Sequence, residues 1–208
     1  MKILTAAQMG EVDRLTTERY RIPSILLMEN AGRSFADELA RACPDLDTRR
    51  ILILCGRGNN GGDGFVAARY LALRGAEPSV LLFAVPEKLK GDARANWEIA
   101  RAMGLPIQAL SDPAEIRACL KKIPPPDVIV DALFGTGLAK PIGPDFRPVV
   151  DWINRAAEQA FVASIDIPSG LYADSAAIPG PAVRARLTVT FSALKPAHIL
   201  HPASDLAG

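Results

Sequence analysis

The 208-residue chain has little of what marks most specialised protein classes. It has no charge bias: 24 Lys and Arg against 23 Asp and Glu leave a formal net charge of +1. That excludes a broad basic footprint for nucleic acid and an electrostatic hold on a membrane surface. It has three cysteines, Cys43, Cys55 and Cys119, far apart and odd in number. They make no metal-binding or redox spacing and read as small core residues of a protein in a reducing compartment. No run of about 18 apolar residues exists to span a bilayer. The N-terminal stretch MKILTAAQMGEVDR lacks the apolar core of a secretory signal, so the expected location is the cytoplasm. There is no repeat and no low-complexity segment. His198 and His201 have no zinc-type spacing, and no G-x-S-x-G turn marks a serine hydrolase.

What is present is a regular alternation. Thr5-Ala6-Ala7-Gln8 has the form of a capping box and predicts a first helix through Met9, Val12 and Leu15. After the break at Arg21-Ile22-Pro23, Ser24 is placed to cap a second helix with Met28, Phe35 and Leu39 on one side. Then come apolar runs at 50–55, 79–85, 107–110, 127–133, 161–167 and 187–191. Helical stretches separate the first five, at 62–74, 92–103, 113–121 and 149–159. Continuous apolar runs suit strands covered on both faces. Strands alternating with helices predict an α/β fold: a Rossmann-like three-layer αβα sandwich around a mostly parallel sheet. One domain over residues 1–208 is expected. The final run ILHPASDLAG offers turn formers and no strand, and it is compatible with a chain cut from a longer protein at the C-terminus.

Four polar or glycine-rich segments follow predicted strands, which places them on the rim where α/β sheets bind ligands. The first is GRGNNGGDG, Gly56–Gly64. Glycines there would admit positive φ and bring bare N–H groups together at a helix N-terminus, a natural seat for phosphate. Gly56-x-Gly58-x-x-Gly61 also fits the dinucleotide fingerprint, with Glu77 near the ribose-binding distance, so a dehydrogenase is one reading. The second is DALFGTGL, Asp131–Leu138, whose Asp131 ends a strand where a carboxylate can meet a cation or a ribose hydroxyl. The third is SIDIPSG, Ser164–Gly170. Its Asp166 lies in an apolar run, where burial favours the neutral acid and suits acid–base work. The fourth is FSALKPAH, whose Lys195 either faces an anion or is solvated.

Together with MENAG, Met28–Gly32, these segments resemble the YjeF N-terminal domain family, the NAD(P)HX epimerases, in the family's order and over nearly the whole chain. The resemblance implies interconversion of the R and S epimers of hydrated NADH and NADPH, small-molecule substrates that are damaged cofactors. It implies a functional partner, an NAD(P)HX dehydratase, fused or separate, and a homodimer, for which the apolar faces of the first two helices offer a surface. By the family's pattern Asn59, Asn60, Gly61, Gly62 and Asp63 bind substrate. So do Gly135, Thr136, Gly137, Leu138, Ala139, Lys140 and Pro141, with Lys140 in the place of a basic loop residue. Asp166 matches the ligand-contacting, catalytic aspartate. Asn60, Asp131 and Ser169 match the ligands of a potassium ion (K+). All-oxygen ligation suits a hard cation. The alternative is a non-catalytic ligand-binding or scaffold domain on the same fold.

Overall fold

A computed structural model describes residues 2–208. Six strands form one sheet: β1 Ile51–Cys55, β2 Ser79–Leu82, β3 Ile107–Ala109, β4 Val128–Ala132, β5 Phe161–Ile165 and β6 Leu187–Val189. Their order is β3-β2-β1-β4-β5-β6, and every pairing is parallel. The sheet is therefore wholly, not mostly, parallel. The helices are α1 Ala6–Glu18, α2 Ser24–Ala42, α3 Asn59–Leu73, α4 Gly91–Ala102, α5 Pro113–Lys122 and α6 Arg147–Ala156.

Strand alternation builds two cores. Ile51, Ile53 and Cys55 of β1 face one side with Val128 and Val130, under Phe35 and Leu39 of α2, Phe65 and Leu71 of α3 and Trp97 of α4. Leu52 and Leu54 face the other side with Ile129 and Val162, under Ile116 and Leu120 of α5 and Val149 and Ile153 of α6. The central strands are apolar throughout because both faces are covered. Burying one such side chain contributes about 1.5–3 kcal/mol. The chain runs outward from β1 to β3, then crosses back to β4. The loops after β1 and β4 therefore diverge and leave a crevice between them.

Several local expectations hold. Thr5 and Gln8 form the capping box of α1, with Gln8 N–H donating to Thr5 Oγ1 at 3.2 Å and Thr5 N–H to Gln8 Oε1 at 2.9 Å. Gly75 and Gly104 end α3 and α4 with φ of +89° and +79°. The C-terminal run forms turns and no strand, as its residues predict: short 3-10 turns at Pro196–His198 and Ala203–Leu206 bury Ala197, Ala203 and Ala207. Others do not hold. Ser24 is the first helical residue of α2, and Pro23 stands at the cap without a side-chain bond.

The largest difference lies in the glycine run. Only Gly56–Gly58 is loop; Asn59 to Gly64 is already the first turn and a half of α3. None of its glycines has positive φ. They are small for another reason. A Cβ on Gly56 would lie 2.0 Å from the Leu133 carbonyl oxygen, and one on Gly61 would lie 1.9 Å from that of Gly56. One on Gly64 would meet Ala132 Cβ and Cys55 Sγ at 2.7 Å. The glycines let α3 start directly against the ends of β1 and β4. Close approach, not backbone freedom, selects them.

Candidate active site

The crevice at the strand ends is a cavity of about 1280 Å³. Its walls come from α1, α2, the start of α3, the loop after β4, Asp166, and the segment after β6. Asn59, Asn60, Asp63, Gly135, Thr136, Gly137, Leu138, Ala139, Lys140, Pro141 and Asp166 all line it. Gly61 and Gly62 do not. They are buried beneath, where a Cβ on Gly62 would lie 2.6 Å from Met28 Sδ. Asp131 and Ser169 also lie below the cavity floor, fully buried.

The start of α3 offers its N-terminus to this space. Gly58 caps it without a side-chain bond, and the first in-helix amide bond is from Gly62 to Gly58 at 3.1 Å. The amides of residues 59–61 are the bare donors that every helix start leaves. The helix adds about half a unit of positive charge there. Asn60 is buried, yet neither its Oδ1 nor its Nδ2 has a partner. A buried unpaired amide costs about 1–3 kcal/mol. It is the clearest sign of a missing guest.

MENAG explains how this turn is held. Asn96 Nδ2 donates to Met28 Sδ at 3.2 Å, and Arg69 donates to Glu29 and to Asn96 Oδ1, the latter at 2.8 Å. A Cβ on Gly32 would lie 2.4 Å from Val66 Cβ, so α2 lies tight on α3. Asn30 and Ala31 of the same motif line the cavity.

Asp131 sits under the second loop. Ser169 Oγ donates to its Oδ1 at 2.6 Å, Ser164 Oγ and Ser169 N–H to its Oδ2 at 2.9 and 2.8 Å, and Leu133 N–H to its Oδ1 at 3.3 Å. Burial pushes this carboxyl up, and those donors pull it back. Ser169 Oγ in turn accepts from Phe134 N–H at 2.9 Å. The second loop is thus tied to Asp131 through one hydroxyl.

Asp166 differs most from the isolated buried carboxyl that the sequence predicts. Lys195 Nζ lies 2.6 Å from its Oδ1, and this lysine is only 2 % exposed. Lys195 is neither solvated nor facing an external anion. Asp63, by contrast, has no cation beside it. Burial, then the charges of Asp166 and Asp13, push it well above the ordinary carboxylate range. Nothing in the sequence marks Asp13, which reaches the cavity from α1. Its helix shows a single acidic residue there and no motif. Thr190 was equally silent, though it follows a strand as the recognised segments do. His198 is structural. Its Nδ1 accepts from Lys195 N–H at 3.0 Å, which leaves Nε2–H to donate to the Asp166 carbonyl at 3.0 Å. Burial, then Lys195, lower its pKa and keep it neutral.

Residues 24–197 match the family model described as YjeF-related protein N-terminus. The chain belongs to that family. It is 42% identical over 209 residues to the bifunctional NAD(P)H-hydrate repair enzyme Nnr of Moorella thermoacetica, covering 100% of this chain and 39% of the relative. It is 38% identical to the NAD(P)H-hydrate epimerase of Rhodopirellula baltica, over 92% of this chain and 75% of the relative. For the NAD(P)H-hydrate epimerase of Rhodobacter capsulatus the identity is 37%, over 95% and 91%. The chain thus spans about two fifths of the bifunctional relatives and most of the epimerases. The crystal structure of yeast ynu0, YNL200c, superposes with a TM-score of 0.82 at 25% identity, over 94% of this chain and 82% of that one. The names of these relatives are those of a repair enzyme and of epimerases, not of a dehydrogenase.

Proposed function

We propose that the chain is an NAD(P)H-hydrate epimerase, interconverting the R and S epimers of hydrated NADH and NADPH in nicotinamide cofactor repair. The observation that carries this reading is the unpartnered Asn60 amide on an uncapped helix start, in a cavity that also holds Asp166. A pyrophosphate fits the bare amides of α3, and the crevice between the β1 and β4 loops fits a dinucleotide. The names of the relatives support the same substrate.

Epimerisation at the hydroxylated ring carbon requires that carbon to become planar or the ring to open. Both routes move a proton at the hydroxyl. Asp166 is the acid–base group in this reading, with Oδ2 as its working oxygen. Lys140 and the helix start hold the anionic body of the substrate. The half-buried Asp63 lies at the wall of the same space.

A potassium ion fits part of the proposed donor set. Asn60 Oδ1 is an unused buried oxygen, and Asp131, on the strand paired with β1, is a second buried oxygen donor. Ser169 brings a hydroxyl already bonded to Asp131. Asn60, Asp131 and Ser169 offer oxygen donors alone, which suits a hard cation. Bound there, it would supply positive charge and fix the two loops. A single domain over residues 1–208, a cytoplasmic location, pairing of two copies, and work alongside an NAD(P)HX dehydratase complete the reading. Val12, Leu15 and Leu26 are exposed on α1 and α2, and this apolar surface favours the pairing. Among the described residues no helix is long and apolar enough to cross a membrane.

The test is direct. Purified protein is given the slowly converting epimer in potassium buffer, and its isomerisation is followed by chromatography. Conversion well above the spontaneous rate is expected. Asp166→Asn should lower turnover by about 10²–10⁴-fold, the usual worth of one acid–base group, while substrate affinity persists. Near-normal turnover in that variant removes Asp166 from its role. Absence of conversion in the parent protein favours the scaffold alternative.

A further inference from the structure

Asp166 has two oxygens in unlike surroundings. Oδ1 receives Lys195 Nζ at 2.6 Å and Thr190 Oγ1 at 3.2 Å. Oδ2 has only the Thr136 amide at 3.4 Å, a long contact from the Gly135 loop. The backbone of Asp166 is also unusual. Its φ of +66° is left-handed, which costs a non-glycine residue about 1 kcal/mol or more and persists only where neighbours enforce it. Here Asp166 N–H donates to Val189 O at 2.8 Å, and His198 Nε2 holds the Asp166 carbonyl at 3.0 Å.

Every one of these restraints, apart from the Thr136 amide, comes from residues 189–198. Lys195 is central to them. Its three ammonium hydrogens have three acceptors: Asp166 Oδ1, Thr190 Oγ1 at 2.7 Å and the Phe191 carbonyl at 3.3 Å. Its own amide ends on His198 Nδ1 at 3.0 Å. An ammonium group saturated in this way has no hydrogen left for substrate. It is a fixture for the carboxylate.

We propose that Lys195 is the positioning residue of the reaction: it takes up Oδ1, fixes the carboxyl group in one orientation, and leaves Oδ2 as the oxygen that exchanges a proton with the substrate hydroxyl. The proposal rests on the epimerase reading for its chemistry, but not for its geometry. The charged groups facing Asp166 are Lys195 from the segment after β6, Asp63 from α3 and Asp13 from α1. Lys195 is the one cation among them, so its loss leaves a carboxylate facing two acids.

The experiment uses Lys195→Met, Lys195→Arg and Thr190→Val beside the parent protein. Lys195→Met should lower kcat by about 10²-fold, the effect of a misplaced catalytic group, with KM nearly unchanged. The acid limb of its kcat/KM profile should move to higher pH, because removing an adjacent ammonium favours the protonated acid. Lys195→Arg should return the limb toward its original pH, since it restores the charge. Thr190→Val keeps the charge and volume and should lower kcat less, again at constant KM. It covers the case in which Lys195→Met does not fold. A carboxyl ¹³C NMR titration of Asp166 is the readout independent of turnover: its midpoint should rise in Lys195→Met. If the parent protein fails to epimerise but that midpoint rises, the epimerase reading falls and the positioning role stands. An unmoved midpoint, or parent-level kcat in folded Lys195→Met or Thr190→Val, overturns the proposal.

Discussion

Of the five carboxyls that line the cavity, three, Asp13, Asp63 and Asp166, act on one another, and their neighbours differ. Asp166 is matched by an ammonium, whereas the half-buried Asp63 has no cation beside it among the described residues. For Asp63 this has a stability consequence. Its native pKa lies above the 3.8 of a free aspartate, so the native state holds the proton longer than the unfolded chain. Stability from this group is full below 3.8 and falls as pH rises through the native value. Asp63→Asn should therefore leave stability unchanged at low pH and raise it at neutral pH. Urea denaturation at pH 4 and pH 8 measures this; equal midpoints for the two proteins at the higher pH would refute it. His198 works in the opposite sense. Its native pKa lies below 6.5, so its contribution weakens as pH falls past that value.

Helix α3 is where sequence and structure part most usefully. Every strand and helix was legible, because apolar runs and periodic stretches are long and the breaks carry Gly and Pro. The glycine run was legible as a ligand-binding segment but not as helix. Consecutive glycines have poor helix propensity, and nothing local reveals that packing against β1, β4 and α2 overrides it. Lys195 was likewise beyond reach: its partner is 29 positions away and the two meet only through the β5–β6 pairing. Two glycines make the packing argument testable. Gly10 in α1 has open space around its missing Cβ, and Gly10→Ala should stabilise by about 1 kcal/mol through helix propensity. Gly61→Ala, with the Gly56 carbonyl in its way, should destabilise by about 1–3 kcal/mol or more. Thermal melts showing both substitutions shifting Tm the same way would refute this account of α3.

At the scale of the molecule, topology brings the site together. Segments after β1, β4, β5 and β6 converge because parallel strands end on one rim. Their order along the chain was readable, but their spatial order, with β1 beside β4, was not. The two outer helices differ from the rest in what they add. α2 is anchored by a buried polar network to α3 and α4, whereas α1 contributes Met9 and Asp13 to the cavity and few buried side chains.

The approach to α1 has its own anchors. Ile3 bridges Leu194 as a lone parallel pair, Leu4 N–H donates to Leu194 O at 2.9 Å, and Ala6 N–H donates to Asp174 Oδ1 at 2.7 Å. Leu194 directly precedes Lys195. An affinity tag or fusion placed at the amino end therefore pulls, through Leu194, on the segment that grips Asp166. Deleting residues 2–5 should lower kcat and speed amide hydrogen exchange at 190–195, with β1 and β4 exchanging as before. Unchanged exchange at 190–195 would show that the amino end does not brace the segment that holds Asp166.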